Sequence, residues 1–141
     1  MFRDYITTQD EAICHLFLHC CFKDGTFSKD EINNVASKFV DLQINRDLNF
    51  KEELIHYQSY NIDVTEEQEY LEYILKLINP VQDLALFSYC VELCLSDKLL
   101  STPEESLLQK IATLLGISDE ENAAITKLLT QRKAVELEKI F

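Results

Sequence analysis

Residues 12–31, AICHLFLHCCFKDGTFSKDE, and residues 85–104, ALFSYCVELCLSDKLLSTPE, carry one pattern twice. Each is carried by an apolar stretch: Ile13, Leu16, Phe17, Leu18, Cys20, Cys21 and Phe22 in the first, and Leu84 with Leu86, Phe87, Val91, Leu93 and Leu95 in the second. Each then reads Asp, two residues, an apolar residue, Ser, two residues, Glu, from Asp24 to Glu31 and from Asp97 to Glu104, at an offset of 73. A helix apolar almost all round belongs in the middle of a bundle. The repeat reads as an internal duplication in which a buried helix is joined to an amphipathic one.

Outward from the two copies, helix starts are marked by Ser, Thr or Asn followed three residues later by Glu or Gln, side chains that satisfy each other's orphan backbone N–H groups. The pattern occurs at Thr8/Glu11, Ser28/Glu31, Asn49/Glu52, Thr65/Gln68, Thr102/Glu105 and Ser118/Glu121, and Asn79-Pro80 adds a seventh start. It predicts helices over about 9–22, 29–43, 50–61, 66–78, 80–96, 103–115 and from 119 to near the end. Gly116 stands where a left-handed helix stop is wanted. Ile32, Val35, Ala36 and Phe39 line one face of the second helix, and Leu71, Ile74, Leu75 and Ile78 do the same in the fourth.

Composition agrees with this reading. The 141 residues include only two Gly and two Pro, too few for sandwiches, barrels or glycine-loop nucleotide binders. Hydrophobic residues make up 47%, enough for a real core, so the expectation is an all-α, single-domain bundle of about seven helices over 1–141. A formal charge of −12 argues against nucleic acid, whose phosphates require clustered Lys and Arg, and against an anionic membrane surface. The longest apolar run, Ala12–Phe22, is too short to insert in a membrane. Five Cys without regular spacing and a first stretch, MFRDYITTQDE, lacking a secretory core suit a reduced cytoplasmic setting.

At the duplicated segments the sequence resembles the TerB-like family, named for the tellurite-resistance protein TerB. Its members carry a helix ending in His or Glu, four residues, Asp-Gly, an apolar residue, Ser, and Glu after two more, then a second copy trailed by Leu-Gly-hydrophobic-Ser and several acids. Here His19 precedes Asp24-Gly25, Glu92 precedes Asp97, and Leu115-Gly116-Ile117-Ser118-Asp119-Glu120-Glu121 supplies the trailing segment. The resemblance covers about 15–43 and 84–130. Lys98 stands where the second Gly is usual, and Lys23 sets a positive charge beside Asp24. The resemblance implies an all-helical fold, a role in stress or metal-ion response, and acidic residues as cation ligands.

Asp24, Glu31, Asp97 and Glu104 are therefore the candidate metal residues, with His19 and Glu92 as secondary ones. If the copies pack about a pseudo-twofold axis, four carboxylates meet at one end of the bundle and offer oxygen ligands to Ca²⁺, Mg²⁺ or Mn²⁺. The competing use is structural, with Glu31 completing a helix cap and Asp24 accepting a turn N–H. Cys90/Cys94 and His15/His19 have one-turn spacing that could chelate zinc, yet their helices are the two central ones, so core cysteines with histidines at the margin are expected. Glu53-Leu54-Ile55-His56 is a single Glu-x-x-His, where di-iron bundles need two, and no nucleophile motif occurs. Residues 47–73 hold eight acids and one Lys, interleaved with Tyr57, Tyr60, Tyr70 and Tyr73: a solvated face, or a docking face for a basic protein partner. The sequence thus predicts a non-enzymatic binding module, with a metal-free interaction scaffold as the alternative.

Overall fold

The structure, a computed structural model, describes residues 1–23, 29–43, 48–60, 62–63, 65–95 and 99–138. A 3₁₀ turn at Phe2–Asp4 leads into α1 (Gln9–Phe22), α2 (Lys29–Asp41), α3 (Phe50–Tyr60), α4 (Glu67–Ile78), α5 (Asp83–Cys94), α6 (Thr102–Leu115) and α7 (Asp119–Glu138). Among the described residues every regular element is helical. None of these helices is long and apolar enough to cross a membrane.

α1 packs against α2, α3, α4 and α5 at once, and α5 against α1, α2, α6 and α7. The two all-round apolar helices are central, as their sequences require. Leu16, Phe17, Leu18 and Cys20 of α1 are completely buried, together with Phe87, Cys90 and Val91 of α5. Burying each of the large side chains contributes about 1.5–3 kcal/mol. At the offset of 73, α1 maps onto 82–95 and α2 begins at 102, matching α5 and α6 to within a residue. In both copies the buried helix packs on the amphipathic one that follows it.

Several caps form as the sequence reads. Thr8 and Glu11 exchange side-chain-to-backbone bonds at the start of α1, and Ser118 and Glu121 do so at α7. Asn49 accepts the Glu52 N–H at 3.2 Å. Gly116 closes α6 at φ 73. Ser28, the expected partner of Glu31, lies outside the described residues.

Three starts differ from expectation. α6 is capped by Ser101 and Glu104, one residue before the expected Thr102/Glu105 pair, which leaves Pro103 in the first turn where its missing N–H costs nothing. Asp63, not Thr65, prepares α4: its carboxylate accepts the Thr65 hydroxyl at 2.7 Å and the Glu66 N–H at 3.0 Å. Asn79 is a helix stop, not a start. It takes the left-handed conformation at φ 42 and donates its N–H to the Leu75 carbonyl, so α5 begins only at Asp83.

Candidate functional site

The densest polar chemistry lies inside the bundle, where α1 meets α3 and α4. His15 and His19, one turn apart on α1, are both buried. They are core residues, deeper than the margin expected from sequence. His15 Nε2 lies 2.8 Å from Glu53 Oε1 and His19 Nδ1 lies 2.7 Å from Tyr57 Oη, each partner 38 residues further along. Two contacts at one constant separation make α1 and α3 run side by side in the same direction. His15 Nδ1 meets Tyr60 Oη at 2.6 Å, and Tyr60 Oη meets Tyr70 Oη at 2.5 Å. From α4, Glu67 Oε2 takes His19 Nε2 at 2.8 Å and also pairs with Lys23, while Glu67 Oε1 accepts from Lys110 Nζ at 2.8 Å.

Charge and tautomer follow from this wiring. Burial opposes a charge on Glu67, but bonds from His19, Lys110 and Lys23 outweigh it and hold the carboxyl well below the usual carboxylate range. Facing a carboxylate, His19 Nε2 carries the proton, and Nδ1 accepts from the Tyr57 hydroxyl. Burial lowers the His19 pKa, Glu67 pulls it back upward, and Lys23 and Lys110 add to the lowering. Burial lowers His15 as well, against the upward pull of Glu53. Both imidazoles are thereby held neutral. Burial pushes the Tyr57, Tyr60 and Tyr70 hydroxyls up, so they serve as protonated donors.

The second chain of bonds has one consistent direction: Tyr70 O–H to Tyr60, Tyr60 O–H to His15 Nδ1, and His15 Nε2–H to Glu53. His56, the other half of the Glu-x-x-His, stacks on Tyr5 with ring centroids 4.4 Å apart. Its buried Nδ1 stands 3.7 Å from Glu53 Oε1, beyond a hydrogen bond.

Of the candidate metal residues, Asp24 and Asp97 lie outside the described residues. Glu31 and Glu104 occupy the third position of α2 and α6, and each is almost wholly buried, at 3% and 1% exposure. Glu104 Oε1 accepts from the Ser101 N–H and hydroxyl, both at 2.9 Å. His19 is committed to Tyr57 and Glu67 as described, and Glu92 sits on the surface of α5 bonded to Lys38 at 2.7 Å. Among the described residues no group of three or more His, Cys, Asp or Glu side chains is arranged to hold a metal ion. All five cysteines are free and buried.

The acidic, tyrosine-rich 47–73 segment points its aromatics inward. Tyr60 and Tyr70 are buried, Tyr57 and Tyr73 half-buried, and Tyr73 donates its hydroxyl to the Ile6 carbonyl at 2.6 Å. The side chains it exposes include the acids Glu52, Asp63, Glu66, Glu69 and Glu72 beside Lys51, Ile55, Gln58 and Gln68.

What these observations define is an all-α bundle built on two matched helical hairpins and closed by a buried histidine–carboxylate–tyrosine cluster. The family model described as "Tellurite resistance protein TerB" matches residues 10–127, and the chain belongs to that family. Neither among the curated proteins nor among the solved structures was a match to this chain found.

Proposed function

We propose that the chain acts by binding rather than catalysis, as a cytoplasmic, stress-related module responsive to a divalent cation: Ca²⁺, Mg²⁺ or Mn²⁺. The observation that carries this reading is the matched burial of Glu31 and Glu104. Two carboxylates withdrawn from water at equivalent places, each seven residues after an Asp, supply the hard oxygen donors such cations prefer. Its test is the melting midpoint of the full chain with and without excess metal. A cation bound only by the folded state stabilises it by about 2.7 kcal/mol at a hundredfold excess over the dissociation constant. The midpoint is expected to rise with one of the three metals, and Asp24→Asn with Asp97→Asn is expected to abolish the rise. An unchanged midpoint with all three metals would overturn the reading.

One observation favours a second reading, a metal-free interaction scaffold. Glu104 is already engaged in a reciprocal cap with Ser101, and such a cap uses a carboxylate fully without any metal. On this reading the exposed acids of 47–73 meet a basic protein partner, and metal leaves the midpoint unmoved.

A further inference from the structure

The duplication has a consequence away from the acidic candidates. α4 packs on α1 and on α6. Exchanging the two hairpins carries that location onto α5 and α2, where α7 lies against α5 and a cleft of about 350 Å³ remains between α7 and α2. In the first half this location is filled by the Glu67 carboxylate, taken by His19, Lys23 and Lys110. Seventy-three residues on from His19 stands Glu92, and seventy-three back from Lys110 stands Ser37, next to Lys38; both Glu92 and Lys38 line the cleft.

The cleft does not repeat its counterpart's groups: at the offset Glu92 stands for His19 and Ser37 for Lys110, and its cations come from the neighbouring Lys38 and from α7, which also brings Glu136. Lys38, Arg132 and Lys133 converge on it over an apolar floor of Leu93, Leu95 and Leu129. Lys38 is 2.7 Å from Glu92, and Lys133 is 3.3 Å from Glu136 on its own helix. Among the described residues Arg132 has no acidic partner. Three positive and two negative groups leave one positive charge uncompensated, in a chain whose net charge is −12.

We infer that this α2–α5–α7 cleft binds a singly charged carboxylate on a short aliphatic chain, the carboxylate meeting Lys38 and Arg132 and the chain lying on Leu93, Leu95 and Leu129. A guanidinium fork suits a carboxylate, and one surplus positive charge suits a monoanion better than a phosphate dianion. Leu93 and Leu95 are almost wholly buried, so the apolar gain comes mainly from the half-buried Leu129 and is small beside that of the charges.

Sodium octanoate titrated into the ¹⁵N-labelled full chain tests it. Saturable shifts are expected at Ser37, Lys38, Leu93, Leu129 and Arg132. Affinity is expected to fall about tenfold in Arg132→Gln, as loss of one charge-assisted bond requires, and about a hundredfold in Lys38→Gln/Arg132→Gln, which removes two. Arg132 is exposed, so Arg132→Gln alone supplies a folded variant if the double one is unstable. Octylammonium, with the same chain and the opposite charge, is expected not to bind. No saturable shift up to about 20 mM, a limit several kcal/mol weaker than a micromolar ligand, would overturn the assignment. Equal binding of octylammonium, equal binding of inorganic phosphate, or unchanged affinity in the variants would overturn it too.

Discussion

Glu67 reaches His19 across the bundle with Oε2 2.8 Å from Nε2, and the same buried carboxylate also holds Lys23 and Lys110. One side chain of α4 thereby ties α1, its C-terminal Lys23 and α6 together. Glu67→Gln keeps the shape and deletes the charge, leaving two lysines and a buried N–H facing an amide. Removing one partner of a buried ion pair costs about 3–5 kcal/mol, and the lysines' partial access to water puts this case near 3. Urea unfolding should show a lower midpoint with an unchanged slope.

Stability should fall as the solution is acidified, in two stages. His15 and His19 are held neutral, with folded pKa values below the ordinary 6.5. Below about pH 6.5 the unfolded chain therefore binds more protons, and each histidine removes up to about 1.4 kcal/mol per pH unit until its folded pKa is reached. The groups facing His15 are Glu53, Glu11, His56 and Tyr60; those facing His19 are Glu67, Lys23, Lys110 and Tyr57. Glu67 is likewise held below its ordinary 4.5, in its case because the charged form is favoured, so its contribution is complete above about pH 4.5 and is lost as pH falls further. Unfolding free energies should fall little from pH 7.5 to 6.5 and more steeply from 6.5 to 5.5, and His19→Gln should flatten the steeper part. A wild-type profile level from pH 7.5 to 5.5 would contradict the neutral assignment.

The helices were legible because their signals are local. The apolar rings of α1 and α5 and the boxes at Thr8 and Ser118 involve neighbours within one turn. The start of α6 was misread between two competing boxes, although the duplication held the answer: Ser101, not Thr102, stands opposite Ser28 at the offset of 73. Asn79-Pro80 was ambiguous because Asn serves either helix end, and its left-handed φ depends on how α4 finishes. The buried cluster was not legible. Glu53 and Glu67 sit in a run of acids that looks solvated, and their partners lie 38 to 48 residues away. The available signal was a pair of matching ladders, His15/His19 on α1 and Glu53/Tyr57 on α3, each with polar side chains four apart.

The cysteines should be chemically silent in the folded chain. Burial pushes the Cys14 thiol up, and bonding with Cys90 together with burial raises Cys20, so neither offers a thiolate near neutral pH. Cys94 Sγ lies 3.6 Å from the Cys20 carbonyl, a contact of the packed α1–α5 interface. Titration with a thiol reagent should find almost no fast-reacting group in native protein and five after denaturation. Rapid native labelling of two or more thiols would show that the α1–α5 interface opens.

Tyr60 and Tyr70 should respond to loss of their hydroxyls with opposite dependence on each other. Tyr60 stands mid-chain, donating to His15 Nδ1 and accepting from Tyr70, whereas Tyr70 only starts the chain. Tyr60→Phe orphans two buried groups, the His15 acceptor and the Tyr70 donor, at about 1–3 kcal/mol each. Tyr70→Phe removes one donor and leaves Tyr60 still bonded to His15, so it should cost about 1 kcal/mol. Once Tyr60 is Phe, however, the Tyr70 hydroxyl has lost its acceptor among the described residues, and deleting it removes a desolvated group instead of a bond. The same Tyr70→Phe change should then be neutral or stabilising. A double-mutant cycle by urea unfolding reads this directly as a coupling energy. Additive losses would mean that the two hydroxyls act independently, and the directed chain from Tyr70 to Glu53 would have to be abandoned.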